Sequence, residues 1–404
     1  MLFSSYLFAQ TRGNSPYTLY GIGFKSEVSN GKSFSMGGIG IAFQDNTSIN
    51  PLNPAATASL DSLSFIFDAG FVMNSSKFSS TTANEKGNYA SLNYLLFGFQ
   101  VAKPWKTSFG LVPYSDVGYS TVTNDEMNNI SFTDIYTGNG GLNKAFWIHA
   151  FNIIKNISIG IESGLLFGQI ERNYIRILNI KNVFSIKESN TDTYKKFYLK
   201  YGLQYTRQIN KEFKLIIGAI ASTNMNVNTD RKYILQTFLS GVSVENHKES
   251  SITGKTLIPA NFGLGFMLSK KNHWKVGIDL EKQYWSDYSS FDNVQPFKNS
   301  FRFAIGGELI PNANSIKSYF QHVSYRFGFR YEKTPIYLNN TLLNEIGISF
   351  GVGLPFKKTA STVNLGIEIG QRGTSTNSLI KETFIKFKVG ISMFQQWFRQ
   401  QKYQ

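Results

Sequence analysis

The sequence predicts an all-β protein, a transmembrane antiparallel β-barrel of about 14 strands with an N-terminal plug in its lumen, and three observations carry that expectation. Strand-length runs alternate apolar and polar residues with period two, as walls between lipid and an aqueous lumen must. Aromatic residues make up 15% of the 404 residues and charged residues only 17%, against roughly 25% charge in an ordinary soluble domain. The connections fall into two length classes that alternate along the chain, as the two ends of an even-stranded barrel require. With a mean hydropathy of -0.19 and no uninterrupted apolar run of roughly 18 to 20 residues, a bundle of membrane helices is excluded.

Taken in order, residues 1–10 read as the remnant of a signal peptide. Leu2, Phe3, Tyr6, Leu7 and Phe8 form a short apolar stretch ending at Phe8-Ala9-Gln10, with cleavage expected after Ala9 and no basic region ahead of it. The alternative is a disordered or initial strand segment. Residues 11–59 do not alternate; they are rich in Gly, Ser and Asn and include Gly21, Gly23, Gly31, Gly37, Gly38 and Gly40. About 45 such residues ahead of a barrel suit a plug, because glycine lets backbone approach a wall closely. A disordered periplasmic tail is the other reading, and the apolar Met36, Ile39, Ile41 and Phe43 argue against it.

Residues 60–393 then form the barrel. Strands are expected at 60–74, 88–102, 105–123, 142–155, 157–178, 191–208, 213–235, 251–269, 273–290, 298–309, 319–333, 341–356, 360–371 and 379–393. In the clearest, Ile346, Ile348, Phe350 and Val352 face one way while Glu345, Gly347, Ser349 and Gly351 face the other. A soluble sandwich also alternates. Its polar face has no need of so many glycines, nor of Glu162, Asp279, Glu281, Glu308, Glu332, Glu345 and Glu368 set against Lys275, Arg302, Arg326, Arg330, Lys386 and Lys388. Trp274 and Tyr284 share the outward parity; about 33 Å of strand separates them, or about 25 Å of membrane normal at a tilt near 40°, the height between aromatic girdles. Lys282 on the same face is tolerable only at the outer rim, where its stem can snorkel. Segments 75–87, 124–141 and 236–250 are expected as outer loops, the short turns lie at the inner end, and residues 394–404 form a tail, so both termini are expected in the periplasm.

The charge balance of +15 is dispersed and carries no dense basic helix or RNA-binding aromatic signature, so nucleic acid is not an expected partner. Lys103, Lys106, Lys155, Lys211, Lys270, Lys271, Lys357, Lys358, Arg399 and Lys402 gather at the proposed inner rim, which directs the basic excess to membrane lipid head groups of the inner leaflet. There is no cysteine. His149, His247, His273 and His322 occupy dissimilar settings without a hydrolase motif, and no carboxylate cluster has cation-loop spacing. No enzyme activity, metal or cofactor is expected.

One stretch carries a resemblance. Ser35-Met36-Gly37-Gly38-Ile39-Gly40-Ile41-Ala42-Phe43-Gln44-Asp45, followed by Asn53-Pro54-Ala55, resembles the hatch of the FadL family of outer-membrane transport proteins. Tyr325-Arg326-Phe327-Gly328-Phe329, Gln371-Arg372-Gly373-Thr374 with Asn377 to Glu382, and Trp397-Phe398-Arg399 resemble members from Bacteroidota. The resemblance implies a 14-stranded barrel in the cell outer membrane and passive uptake of hydrophobic small molecules, long-chain fatty acids or similar. It also implies a movable hatch and a lateral opening at a kinked third strand, here matched by Phe109 to Tyr114. Gly110 relaxes the backbone there and Pro113 removes a ladder donor; an ordinary edge proline is the alternative. Ile66, Leu96, Ile216 and Ile220 fall on the inward parity and are candidates to line a ligand site, unless the register is off by one residue. The rival function is a barrel that docks or carries other envelope proteins in a secretion or envelope complex, and the polar 124–141 segment, poor in anchor residues, tilts the reading to transport.

Overall fold

The computed structural model describes residues 13–81, 83–178, 180, 183–239, 242–290, 297–315, 318–357 and 359–396; the expected signal peptide at 1–10, Lys358, and the Trp397 to Gln404 part of the tail lie outside them. Seventeen paired segments make one sheet. One is a two-residue piece of the N-terminal segment, Phe24–Lys25, and two walls are each broken in two, which leaves 14 barrel strands. They are β1 Ser64–Ser79, β2 Asn84–Ala102, β3 Trp105–Met127, β4 Ile130–Ile154, β5 Ile157–Leu178, β6 Ser185–Gln208 and β7 Phe213–Ser222 with Met225–Leu239. The ring continues through β8 Val242–Ile258 with Asn261–Lys270, β9 Trp274–Gln283, β10 Ser300–Leu309, β11 Ser324–Leu338, β12 Thr341–Pro355, β13 Thr362–Arg372 and β14 Lys381–Gln396. Neighbours pair antiparallel in sequence order, and β14 closes on β1 from Lys381↔Ser79 to Gln396↔Ser64.

Period-two patterning decides the faces. On β14 Glu382, Phe384, Lys388 and Ser392 are buried while Ile385, Phe387, Val389 and Met393 are exposed, and Ile346, Ile348, Phe350, Phe327, Phe197 and Trp147 are exposed in the same way. Large apolar side chains on the outside of a closed ring, even where Phe327 and Phe350 lie side by side, remain exposed, and lipid is what stabilises them. Among the described residues no helix is long and apolar enough to cross a membrane.

The strand map follows the sequence closely, and it differs most where outer loops were expected. Segment 124–141 is not a loop: β3 and β4 run on to a tight turn at Asn128-Asn129, both at positive φ. Its polar composition belongs to a strand hairpin standing in water, for residues 120–131 are exposed on both faces. Likewise 75–87 is mostly strand, the described residues of 236–250 are the paired ends of β7 and β8 rather than a loop, and β14 continues to Gln396, three residues into the expected tail. A membrane strand needs only about 9 to 11 residues. Since β3 has 23 residues and β4 has 25, these walls stand well clear of the apolar band.

Inside the ring runs the N-terminal segment, with a short helix Gly31–Phe34 capped by Asn30 and a 3-10 turn Pro54–Ser59 capped by Asn53. Met36, Phe43 and Ile49 are fully buried. Wall glycines permit this. A Cβ on Gly306 would lie 2.2 Å from the Met36 carbonyl oxygen, one on Gly218 2.1 Å from that of Ile41, and one on Gly160 2.3 Å from the Pro54 carbonyl carbon. At these three positions one backbone lies on another, which only glycine permits.

Candidate functional site

The inner segment is pinned by polar contacts at each position the sequence singled out. Gly37 donates its N–H to Ser349 Oγ at 2.8 Å, and the Arg302 guanidinium donates to the carbonyls of Gly37 and Gly38 at 2.8 and 3.2 Å. Both glycines have positive φ, 69° and 73°, which an L side chain rarely adopts. The Asp279 carboxylate on β9 accepts the N–H groups of Gly40 and Ile41 at 2.6 and 2.8 Å. Asn53 accepts from the Ala55 N–H and donates to the Ile41 carbonyl at 2.7 Å, while Pro54 and Ala55 lie against Gly160.

Asp45 pairs with Lys32 at 2.8 Å, both nearly sealed from solvent, and accepts from the Thr47 N–H. Burial alone would raise its carboxyl, but the ammonium groups of Lys32 and Lys275 outweigh it and hold the group well below the usual carboxylate range. A depressed folded value means the pair stabilises fully above the unfolded value near 3.9 and loses that contribution as pH falls below it. Amide exchange protection over residues 40–50 should therefore drop toward a limit of about tenfold per pH unit below about pH 4. Hydrogen exchange at pH 2 against pH 5 checks this, and Asp45→Asn should start lower and lose the slope.

The third strand breaks the ring. β2 and β3 pair only from Leu95↔Leu111 to Ala102↔Trp105; above that point Asn84–Tyr94 pairs with β1 alone and β3 pairs onward only with β4 and with Phe24–Lys25. Gly110 sits just inside the paired part, opposite Leu96, where a Cβ would meet Leu96 Cδ2 at 2.5 Å. Pro113 falls just past its end. From Val112 to Tyr119 every described side chain except half-buried Asp116 is buried, whichever face it belongs to, so this stretch turns inward. The bend crosses three strands, because Gly140 and Gly141 on β4 and Gly168 on β5 stand beside it at φ 108°, 143° and 157°.

The seam between β2 and β3 is stopped by the N-terminal segment. Phe24 and Lys25 pair with Asp116 and Ser115, Ser26 donates its N–H to the Tyr114 carbonyl at 2.9 Å, Ser26 Oγ donates to Asp116, and Gly118 donates to Thr18 Oγ1 at 3.1 Å. A cavity of about 90 Å³ remains there, bounded by Tyr89, Asn93, Pro113, Asp116, Asn14 and Glu27. Buried polar atoms of Asn14, Glu27, Asn93 and Ser115 have no hydrogen-bond partner among the described residues, and each such group costs about 1–3 kcal/mol.

The lumen has two characters. On β9 to β14 it is ionic: Arg326 pairs with Glu308 at 2.7 Å, Arg330 with Glu368 at 2.9 Å and with Glu345, and Arg372 with Glu382 at 3.0 Å and with Glu345. On β3 to β8 an apolar cluster of Val117, Leu142, Phe146, Leu166, Ile170 and Val227 is buried around Ile22 of the inner segment, beside the ion pairs Lys144–Glu162 and Arg231–Asp192. All six wall residues lie in expected strands, but alternation alone does not say which inward positions gather around Ile22. A central cavity of about 180 Å³ lies between the halves, bordered by Ile22, Tyr114, Leu166, Lys200, Glu281 and Arg302 among others.

Ile66, Leu96, Ile216 and Ile220 do face inward, each less than 5% exposed. None borders the central cavity. Ile66 and Leu96 pack with Ile49 and Leu60, Ile216 packs with Met36 and Phe43, and Ile220 flanks Gly263 together with Ile41. Lys106, expected at the inner rim, instead points inward and donates to the Leu60 carbonyl. His149 stands between Trp105 and Trp147 in an aromatic group on β3 and β4, and His273 and His322 contact the backbone carbonyls of Ile310 and Ser315. Among the described residues no three His, Cys, Asp or Glu are grouped to hold a metal ion.

Solved structures share this architecture. The Ralstonia pickettii toluene transporter TbuX is 15% identical with a TM-score of 0.63, over 92% of this chain and 99% of that one. The Pseudomonas putida toluene transporter TodX is 15% identical at 0.61, over 93% and 100%. A Pseudomonas aeruginosa FadL homologue is 11% identical at 0.59, over 93% and 100%. At such identities the likeness is one of fold. No curated protein matches the sequence. The family model BamG matches residues 1–404, and the chain belongs to the BamG family.

Proposed function

We propose that this is an outer-membrane channel for passive uptake of hydrophobic small molecules, with both termini in the periplasm and the seam between β2 and β3 as the lateral exit. The observation that carries the reading is the end of pairing at Leu95↔Leu111, with an unpaired stretch stopped by residues 13–26. The apolar cluster around Ile22 includes Val112, Tyr114 and Val117 of the seam strand itself, so a nonpolar solute in the lumen meets apolar side chains on the strand that borders the gap. TbuX and TodX are named as toluene transporters, which fits the same class of cargo; long-chain fatty acids are the other member of that class. Ligand pockets measure roughly 300–1,000 Å³. The two inner cavities, about 180 and 90 Å³, describe a closed state in which Ile22 and its neighbours occupy the apolar site. Gly37, Gly38, Asp45, Asn53, Pro54 and Ala55 hold the rest of the hatch in place, and Pro113 marks the exit.

A second reading is favoured by a specific feature. The β3–β4 hairpin over residues 120–131 is exposed on both faces, and its β2-facing edge is unpaired among the described residues; a free edge can add a partner's strand. In that reading the barrel docks other envelope proteins and transports nothing. Proteoliposomes separate the two. Labelled toluene or oleate should enter faster than into empty liposomes, with no gain for a sugar of similar size; equal rates with and without the barrel would leave only the docking role.

A further inference from the structure

Lys282 is a cation on the lipid-facing surface that neither the lumen nor the seam uses. Its ammonium lies 4.8 Å from the centroid of the Tyr284 ring. On the outer face of the sheet one register row runs Tyr201↔Ala221↔Phe262↔Lys282↔Phe301↔Lys333 across six strands. Lys282 and Lys333 flank Phe301 in that row, two inter-strand spacings or about 10 Å apart. Neither has an ion-pair partner among the described residues. A cation at the edge of hydrocarbon is costly unless it reaches an anion or water, and the lysine stem is long enough to reach the head-group layer.

Beside these lysines the wall is indented. Ala219 and Ala221 form a shallow floor between Tyr201 and Leu203 on one side and Phe262 and Leu264 on the other, opening a groove of about 530 Å³ on the exterior. Its lining is almost wholly apolar up to Lys282. Such a trough matches an acyl chain, and the basic pair at its end matches the phosphate that caps one.

We propose that this face holds a phosphorylated acyl lipid of the outer leaflet, one chain in the Ala219–Ala221 groove and the phosphate between Lys282 and Lys333. The assignment to the outer leaflet rests on the topology proposed above, since Lys282 lies at the end of β9 away from the Lys270–His273 turn; the binding itself does not. Native mass spectrometry of the purified barrel, titrated with phosphatidylglycerol and with phosphatidylcholine of the same acyl chains, tests it without any uptake assay. The anionic lipid should be preferred by about fivefold per lysine. Lys282→Ala with Lys333→Ala should erase the preference, and Ala219→Trp should weaken both lipids by filling the groove. Heat-modifiable migration of each variant shows that it has folded. No preference in the unaltered protein, a preference that survives loss of both lysines, or a two-chain species in place of the lipid adduct would overturn the proposal.

Discussion

Gly328→Ala should release the inner segment from a barrel that still closes. The ideal Cβ on Gly328 falls 2.0 Å from the Gly37 nitrogen and 2.1 Å from the Met36 carbonyl carbon. Both are backbone atoms, so no rotamer change relieves the contact; the segment must move. Overpacking of a tight interior costs about 1–3 kcal/mol where side chains can adjust, and here they cannot. Movement also breaks the Gly37 bond to Ser349 and the two Arg302 contacts, while exposing Met36 and Phe43. The strand ladder of β11 itself gains only a methyl group on its lumen side. Lys32 is about 5% exposed in the closed form, so trypsin reports the change: the unaltered protein should resist cleavage there, and the variant should be cut at Lys32 with heat-modifiable migration preserved. Protection at Lys32 equal to that of the unaltered protein would show that the wall tolerates a Cβ.

Why some of this could be read from sequence and some not follows from which interactions are local. Alternation is a property of consecutive residues, so the 14 walls and the inward set of Glu345, Glu368, Arg326 and Arg330 could be read directly; the strand at 157–178 ends where period two placed it. The two-faced burial of Val112 to Tyr119 could not be read that way. It depends on glycines in β4 and β5 at positive φ, and positive φ leaves no mark on alternation. Residues 124–141 are legible only as a long polar stretch, which is why a loop is expected there. Pro113 was informative for a local reason, its missing donor. Gly110 was less so: its lack of a Cβ serves the close approach of Leu96 within a paired ladder. Ile66, Leu96, Ile216 and Ile220 had the right parity but the wrong neighbours, because nothing in a strand's own sequence says which part of the N-terminal segment it will meet.

Locking the stopper to the seam should stop transport reversibly. Lys25 and Ser115 are opposed in the short ladder between the inner segment and β3. The Ser26 N–H bonds the Tyr114 carbonyl one step away, which makes Lys25–Ser115 the non-hydrogen-bonded pair, with Cα atoms about 4.5 Å apart. That spacing falls within the roughly 4.4–6.8 Å a disulfide spans. The native chain has no cysteine, so Lys25→Cys with Ser115→Cys offers a single possible bridge. Both forms of the double variant lack the Lys25 pair with Glu281, so comparing oxidised with reduced protein cancels that loss. If hydrophobic cargo leaves between β2 and β3, oxidised proteoliposomes should take up labelled toluene or oleate at the rate of empty ones, and dithiothreitol should restore uptake. A channel that conducts equally in both states would place the exit elsewhere, since a bridge between positions 25 and 115 holds residues 24–26 across the gap at covalent distance. Uptake absent in both states, with binding of envelope proteins unaffected by oxidation, would favour docking at the 120–131 hairpin, whose edge the bridge leaves free.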